Sequence, residues 1–354
     1  MTVATTIGRA WTRARGPGRR ADPYVWRNIS YWRWFAILAI SVVGGLASGY
    51  RWFGFGRDYY DYLLAYANVE PTFLLTYSRF EPGYNALSWL FKIVLNFEYE
   101  SFAAILVAVG LAMKLYLIHR YLRYAWLATI IYFLLLYPVH DYTQIRVSIG
   151  IAFGFWAMQF MLSRRWLIAL LALTVAVLFH YTMLVFIAAL FVALVIPNRK
   201  WVIAGGIAAL LFLALSESVA GFVTTFAGWF NPLADIYTNE IARGLLDQDV
   251  NLFSPYNLCF YFAIIAALAY RWFDADRYRR VTALLAMSSV VVMLLFLSLP
   301  IFAHRLREVF MFAFILFAFR DARREIEWAP AFFIFLAGLV SFIAAIQDGV
   351  ITPW

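Results

Sequence analysis

The sequence predicts an all-α, polytopic membrane protein, and three observations support this prediction. Of the 354 residues, 64% are hydrophobic and only 14% are charged, whereas about a quarter of the residues of a typical soluble domain are charged. The apolar residues fall into runs that approach the roughly 20 residues needed to cross a bilayer as a helix. The basic residues cluster between alternate runs, as expected for loops on the cytoplasmic side.

The chain begins with a basic segment. Residues 1–33 carry seven arginines and precede an apolar run at 34–50. A removable signal peptide has a shorter apolar region and a small-residue cleavage site, so we expect an uncleaved signal-anchor helix. Residues 1–33 are then a disordered cytoplasmic tail, and residues 34–354 form a single transmembrane domain.

About eleven transmembrane helices are predicted after this tail. They cover residues 34–50, 101–119, 125–139, 146–162, 166–179, 181–196, 201–215, 252–270, 281–299, 308–319 and 329–347. The apolar run at 166–196 is interrupted only at His180-Tyr181-Thr182, which predicts a tight helical hairpin with His180 at its tip. Residues 83–96 are apolar but short and contain Lys92, so we assign them to a re-entrant or interfacial helix.

This assignment separates the charges by side. The inner segments carry 21 of the 29 Lys and Arg, including Lys114, but only 6 of the 20 acids. The positive-inside rule then predicts a cytoplasmic N-terminus and a periplasmic C-terminus, with large outer loops at 51–99 and 216–251. The second of these loops is acidic and is a candidate lid. The net charge of +9 therefore suits the inner membrane surface better than a nucleic acid.

Several classes of site are not predicted. The single cysteine, Cys259, excludes an internal disulfide and gives no zinc site. The sequence has no Walker motif, nucleophile elbow or dinucleotide fingerprint, and the outer acids lack the spacing of a metal-binding loop. We therefore expect no cofactor and no metal.

A group of ionisable residues falls at the outer ends of the predicted spans, where a bilayer penalises charge and arginine is not expected. The group contains Arg51, Asp58, Glu81, Arg146, His180, Arg305 and Glu308. Their common face predicts a functional site on the outer side. Arg146 follows Tyr142 and Gln144, and such a guanidinium matches phosphate oxygens. The alternative is an arginine that snorkels to the interface.

The other members of the group suggest separate roles. His180 is a candidate general base or oxyanion partner, or else a structural histidine bonded to the backbone. In Glu81-Pro82-Gly83, the Pro and Gly would fix a turn that holds the carboxylate. Arg51, Asp58 and Asp61 precede this turn, and the acids and aromatics of such an outer loop suit sugar hydroxyls and ring faces. The alternative is an ordinary solvated loop.

Arg305 would make a second phosphate contact, and Glu308 would orient an arginine. If their segment is helical, the two are i, i+3 neighbours. The alternative is a self-compensating ion cluster on the surface.

The chain resembles the EpsG family, the Wzy-type polymerases of bacterial exopolysaccharide, over roughly residues 45–320. The matching pieces are Arg51…Gly56-Arg57-Asp58-Tyr59…Tyr62…Tyr66, Glu81-Pro82-Gly83-Tyr84, Gln144-Ile145-Arg146, Leu178-Phe179-His180-Tyr181-Thr182 and Ala303-His304-Arg305-Leu306. The chain departs from the family pattern at Arg57, where a small residue is usual, at Val147, where a polar one is usual, and at Thr182, where Ser is usual.

The resemblance implies a multi-pass glycosyltransferase of the bacterial inner membrane, with a GT-C-like helical bundle and a site facing the periplasm. Such enzymes join oligosaccharide units carried on undecaprenyl diphosphate. The growing chain is the donor, and a sugar hydroxyl of a fresh lipid-linked unit is the acceptor. Both substrates, the membrane lipids, a chain-length regulator and export machinery are the expected partners.

This chemistry assigns expected roles to the outer residues. Arg146 and Arg305, with Arg51 as a third, would stabilise the leaving diphosphate. His180 would take the acceptor proton, with Asp58 or Glu81 as rival bases. Two other functions stay open: an O-antigen ligase-like transferase, and a flippase or transporter of lipid-linked oligosaccharide. No internal repeat is visible, which gives an inverted-repeat transporter no support, and a purely structural scaffold does not account for outer arginines next to aromatics and acids.

Overall fold

The computed structural model describes residues 29–54, 58–70, 80–196, 203, 251–269, 276–297, 299–320 and 328–347. Most of the predicted tail, Arg57, the span at 201–215 apart from residue 203, and the outer loop at 216–251 apart from residue 251 lie outside these residues. The described part of the chain is helical and contains no strand.

Twelve α-helices occur in the described residues. One of them continues as a π-helical turn, and another is followed by a π-helical segment. They are α1 (Tyr31–Gly49), α2 (Tyr59–Ala67), α3 (Pro82–Trp89, continued as a π-helical turn at Leu90–Val94), α4 (Tyr99–Tyr121), α5 (Ala125–Leu135, followed by a π-helical segment at Tyr137–Thr143), α6 (Ile145–Leu162), α7 (Trp166–Phe179), α8 (Met183–Val195), α9 (Pro255–Ala269), α10 (Arg277–Leu295), α11 (Pro300–Ala318) and α12 (Ala329–Gln347).

These helices establish an all-α membrane protein. Five of them, α1, α4, α6, α10 and α12, are long and apolar enough to cross a bilayer, and α5, α7, α8 and α9 are shorter apolar helices. The predicted spans at 166–179 and 329–347 coincide with α7 and α12. The total number of spans, the orientation of the termini and the GT-C-like bundle stay predictions.

Most helix boundaries differ from the prediction by one to four residues, those of α10 by four at each end, and proline is involved in two of the differences. Helix α11 begins at Pro300 rather than at residue 308, because proline at the first helical position loses no hydrogen bond. Helix α5 ends at Leu135 rather than at residue 139, and the chain continues through Pro138 as the π-helical segment, since proline cannot donate within an α-helix.

Helices α1 and α4 pack closely through small residues. A Cβ atom added at Gly45 would lie 2.5 Å from the carbonyl oxygen of Ala104, and one added at Gly49 would lie 2.4 Å from that of Glu100. Small residues four apart let two membrane helices approach at backbone distance. The C-terminal end of α1, and with it Arg51, is therefore held against the start of α4.

An aromatic cluster fixes α2 and α3 on the N-terminal part of α4. Its buried members include Tyr59, Tyr62, Tyr66, Phe80, Tyr84, Tyr99 and Phe102. Helix α3 with its π-helical turn is about 20 Å long at 1.5 Å per residue, which is shorter than the roughly 30 Å hydrocarbon core. This length agrees with the prediction that residues 83–96 form a re-entrant or interfacial helix.

Lys114 does not lie at the inner surface, where the charge count placed it. Its side chain is fully buried, and Nζ donates to Oδ1 of Asp141 at 2.6 Å and to Oγ of Ser148 at 2.7 Å. Asp141 also accepts from the Tyr132 hydroxyl, and its carbonyl oxygen accepts from Ser48 Oγ at 2.9 Å. The flexible lysine side chain thus reaches a buried carboxylate, and the π-helical segment is anchored on α1, α4, α5 and α6.

Candidate functional site

The predicted outer residues converge at one end of the bundle, where α3, α6 and α11 begin and α7 ends. At the centre, Glu81 bridges two residues from different helices. One carboxylate oxygen pairs with Nη1 of Arg146, and the other lies 2.8 Å from Nδ1 of His180. We call Glu81, Arg146 and His180 the central triad.

Local sequence explains how Glu81 reaches His180. Glu81 has extended backbone and caps α3, and Pro82 occupies the first turn, where its fixed φ angle suits a helix start. A Cβ atom at Gly83 would lie only 2.7 Å from the carbonyl oxygen of Leu178. Gly83 therefore serves the close approach of α3 to the end of α7. The turn predicted from Pro-Gly is a helix start instead.

His180 lies between α7 and α8, which confirms the predicted hairpin tip. Its backbone is extended, with φ −160° and ψ 119°, and its N–H donates to the carbonyl of Ala176. The imidazole bonds to a carboxylate rather than to a backbone group. Its Nε2 atom is buried and has no hydrogen-bond partner, so one ring nitrogen is fixed and the other is available.

Arg146 occupies an aromatic pocket. Its Cζ atom lies 4.0 Å from the ring centre of Phe80 and 5.3 Å from that of Tyr62, and Nε donates to the Tyr62 hydroxyl at 3.4 Å. The side chain is only 16% exposed, so it does not extend towards solvent as a snorkelling arginine would. Aromatic faces attract a guanidinium more strongly when it is desolvated.

Two further polar contacts flank the central triad. Nη1 of Arg305 lies 3.5 Å from Oδ2 of Asp58, and Nε2 of Gln144 donates to Oε2 of Glu308 at 2.7 Å. Arg305 and Glu308 both lie in α11, so they are i, i+3 neighbours as expected for a helix. Glu308 therefore orients an amide, Gln144, through a direct hydrogen bond, where an arginine was expected.

Arg51 lies beside this group in a second aromatic setting. Its φ angle of 54° is in the left-handed region, and Nη1 donates to the carbonyl of Tyr142 at 2.5 Å. The rings of Tyr59 and Tyr142 lie 4.6 and 5.0 Å from its Cζ atom. Nε and Nη2 are buried without a hydrogen-bond partner.

Tyr142 supports Arg51 rather than lining the central triad. Its side chain is fully buried, and its hydroxyl donates to the carbonyl of Gly54 at 2.5 Å and accepts from the N–H of Phe53 at 3.1 Å. These contacts tie the segment after α1 to the π-helical segment before α6.

The electrostatics of the triad favour an ionised Glu81 and a neutral His180. Burial alone would raise the pKa of Glu81, but the charge of Arg146 and the hydrogen bond to His180 outweigh it and lower this pKa to about 2. Burial lowers the pKa of His180 below its usual 6.5; the charges of Arg146 and Arg305 act in the same direction, and Glu81 opposes them. A neutral imidazole beside a carboxylate must donate from Nδ1, which leaves the lone pair on Nε2.

Sequence reasoning missed four residues of this region. Phe80 and Tyr62 form the walls around Arg146, and the Lys114–Asp141 pair lies beneath the segment that leads to Gln144 and Arg146. The position of Phe80 directly before Glu81 was an available signal. Among the described residues, no three metal-ligating side chains come together, and the expectation of a metal-independent site stays a prediction.

One protein family model matches most of the chain, including all the site residues described above. This is the model of the EpsG family, and it covers residues 32–352. The chain belongs to the EpsG family. EpsG is a family of Wzy-like polymerases, which gives the chain a role in polysaccharide polymerisation in a membrane. No curated protein and no solved structure matches the chain.

Proposed function

We propose that this protein polymerises undecaprenyl-diphosphate-linked oligosaccharide units at the periplasmic face of the bacterial inner membrane. The observation that carries the proposal is the central triad, in which one carboxylate holds both a cation for phosphate and an imidazole for proton transfer. A lipid diphosphate is already an activated leaving group, so catalysis requires charge stabilisation, proton removal and alignment of two lipids.

Arg146 and Arg305 stabilise the leaving diphosphate in this proposal. The acceptor hydroxyl attacks the anomeric carbon of the growing chain, the bond from that carbon to the phosphate oxygen breaks, and its electron pair stays on the diphosphate. Cations fixed in a partly dry site stabilise this charge without reorganising. Both arginines are paired with carboxylates in the structure, so the diphosphate displaces Glu81 and Asp58 when it binds.

His180 accepts the proton of the acceptor hydroxyl at Nε2. Glu81 serves as its orienting partner, since a carboxylate on one ring nitrogen fixes the tautomer and stabilises the imidazolium that forms. The structure therefore favours His180 over Glu81 as the base. Asp58 is a weaker candidate for the base than His180, because its carboxylate faces Arg305. The proposed reaction uses no metal, as arginines replace its charge.

The first test is polymerisation by the purified protein in lipid, with a lipid-diphosphate-linked repeat unit and products separated by size. A ladder that persists in EDTA is the expected result. Arg146→Ala and Arg305→Ala should each lower the rate about 10²–10³-fold, the usual effect of removing one transition-state donor. Arg164→Ala, at an exposed arginine after the opposite end of α6, is the matched control. Normal ladders from both site variants would overturn the assignment.

A flippase remains the second candidate, because the Lys114–Asp141 pair places charge inside the bundle. In transporters such residues mark the substrate path. Here both side chains are fully buried and bound to each other, which argues for a structural pair. Movement of the labelled lipid-linked unit across vesicles, with no ladder, would favour transport instead.

An O-antigen ligase-like transferase would pass finished glycan to a different acceptor and would form no ladder from single units.

A further inference from the structure

Arg307 is a second buried guanidinium at the same end of the bundle, outside the site described above. It is 5% exposed, and Nη1 donates to Oδ1 of Asn257 at 2.5 Å. Its Cζ atom lies 4.8 Å from the ring centre of Tyr256 and 5.0 Å from that of Phe260. No carboxylate bonds to Arg307 within the described residues, and its Nη2 atom is buried with no partner.

Arg307 differs in this respect from the two arginines of the proposed donor site. Arg146 and Arg305 each face a carboxylate, which compensates their charges. The acid nearest to Arg307 in sequence, Glu308, bonds to Gln144 instead. A buried guanidinium that bonds to no carboxylate is costly, and such an ionisable residue inside a membrane bundle is by default a functional one. The unpartnered Nη2 of Arg307 therefore marks a candidate anion-binding position.

The surroundings of Arg307 suit a phosphate. Asn257 and Tyr261 lie one turn apart on α9, so they share a face, and the hydroxyl of Tyr261 is buried without a hydrogen-bond partner. Because Asn257 bonds to Arg307, Tyr261 lies on the face of α9 that faces this guanidinium, and its hydroxyl and Nη2 are two unused donors. Charge-assisted hydrogen bonds from such groups are the strong contacts to phosphate oxygens.

Helix α11 separates this pocket from the central triad. Arg305 and Arg307 are two residues apart, so their side chains point about 200° apart around the helix. Arg305 faces Asp58, whereas Arg307 faces Asn257 at the start of α9 and Met293 near the end of α10. One helix thus presents one arginine to each of two anion sites.

We propose that Arg307 and Tyr261 bind the diphosphate of the acceptor lipid, with Asn257 as the internal partner of Arg307, while Arg146 and Arg305 bind that of the donor. The inference rests on the proposed function, because a polymerase must hold two lipid diphosphates at once. Two separate cationic sites keep the two anions apart, and the acceptor sugar then reaches across α11 towards His180.

Binding stoichiometry tests the pocket independently of catalysis. Purified protein in detergent is titrated with radiolabelled farnesyl diphosphate, with farnesol as the control for partition into micelles. The wild type should bind two molecules, and Arg307→Gln and Arg146→Gln should each bind one. Gln is chosen because it keeps a donor for Asn257 while removing the charge. One molecule bound by both wild type and Arg307→Gln would overturn the second site.

A second pair of variants separates ligand binding from a structural role. Tyr261→Phe should weaken the second site about tenfold, since it removes one donor and leaves no cavity. Asn257→Ala removes the internal partner of Arg307 and should leave the second site occupied. If the only role of Arg307 is to hold α9 against α11, Asn257→Ala will destabilise the protein as much as Arg307→Gln. In that case Tyr261→Phe will not alter the binding of farnesyl diphosphate.

The source of the anion is tested by competition. Inorganic diphosphate should displace farnesyl diphosphate from both sites, whereas retention of inorganic diphosphate alone in the Arg307 pocket would overturn its assignment to the acceptor lipid. In the polymerisation assay, Arg307→Gln should raise the acceptor KM about tenfold or more with a smaller effect on kcat. A protein that forms no ladder but binds two lipid diphosphates would refute the proposed function and keep the pocket.

Discussion

At the scale of single residues, the carboxylate of Glu81 connects phosphate binding with proton transfer in the proposed mechanism. It pairs with Arg146 and holds Nδ1 of His180. When a diphosphate binds Arg146 and displaces Glu81, the Glu81 carboxylate loses its main counter-ion and keeps only its hydrogen bond to His180. The imidazole then becomes more basic, because the carboxylate raises its pKa and Arg146 lowers it. The base is strengthened only after the donor has bound.

The rate should depend on pH through His180. Burial holds its pKa below 6.5, so the imidazole is neutral at pH 7, and kcat/KM should fall as the pH decreases through that pKa. Glu81→Gln removes a charge that raises the pKa, so it should move this acid limb to lower pH and reduce the plateau about 10²–10⁴-fold. Profiles of kcat/KM against pH for the wild type and Glu81→Gln measure the shift of the acid limb and the loss at the plateau. An acid limb that moves to higher pH in Glu81→Gln would contradict the proposed Glu81–His180 pair.

At the scale of elements, the contact between α3 and α7 aligns the triad. Gly83→Ala would place a methyl group 2.7 Å from the carbonyl of Leu178, so α3 must shift and carry Glu81 away from His180. Displacements of about 1 Å can cost 10²-fold in rate, and we expect a loss of about 10–100-fold in polymerisation with normal membrane insertion. Gly338→Ala, whose new methyl group makes only ordinary contacts, is the control. Equal rates for both variants would exclude this role of Gly83.

The π-helical segment before α6 depends on the Lys114–Asp141 pair. Lys114→Met leaves the Asp141 charge buried and unpaired, and breaking such a pair costs about 3–5 kcal/mol. Lys114→Met combined with Asp141→Leu removes both charges and should recover most of that stability. Thermal unfolding in detergent measures the difference. If the double variant is no more stable than the single one, the pair is not a coupled ion pair.

These elements also mark what sequence can and cannot predict. The apolar runs at 166–179 and 329–347 predict α7 and α12 to the residue, because polar or charged residues interrupt the apolar sequence at the ends of both runs. The π-helical segment was not predicted, since it depends on a contact between Lys114 and Asp141, which no local pattern contains. Likewise, Glu81 and His180 each appeared as candidates, but their pairing spans 99 positions and required the three-dimensional fold.

At the scale of the whole molecule, the α1–α4 contact holds the C-terminal end of the first described helix, with Arg51 after it, beside the site. Gly49→Ala would place a methyl group 2.4 Å from the carbonyl of Glu100, so the helices must separate. Overpacking of this kind costs roughly 1–3 kcal/mol. We expect a lower unfolding temperature in detergent than for Gly338→Ala, and weaker substrate binding because Arg51 follows directly. An unchanged unfolding temperature would show that α1 tolerates a wider spacing.

The pairing of Arg146 and Arg305 with carboxylates has a consequence for substrate selection in the bilayer. Phospholipids with a single phosphodiester charge surround the protein and greatly outnumber a lipid-linked sugar. To bind Arg146 or Arg305, a phospholipid must displace Glu81 or Asp58. A phosphodiester with a single diffuse charge binds the arginine too weakly to replace the carboxylate. A diphosphate carries more charge and can engage both arginines together. In the proposed mechanism, Glu81 and Asp58 therefore compete with ordinary headgroups for the two arginines and exclude them, so selectivity arises from the protein's own carboxylates.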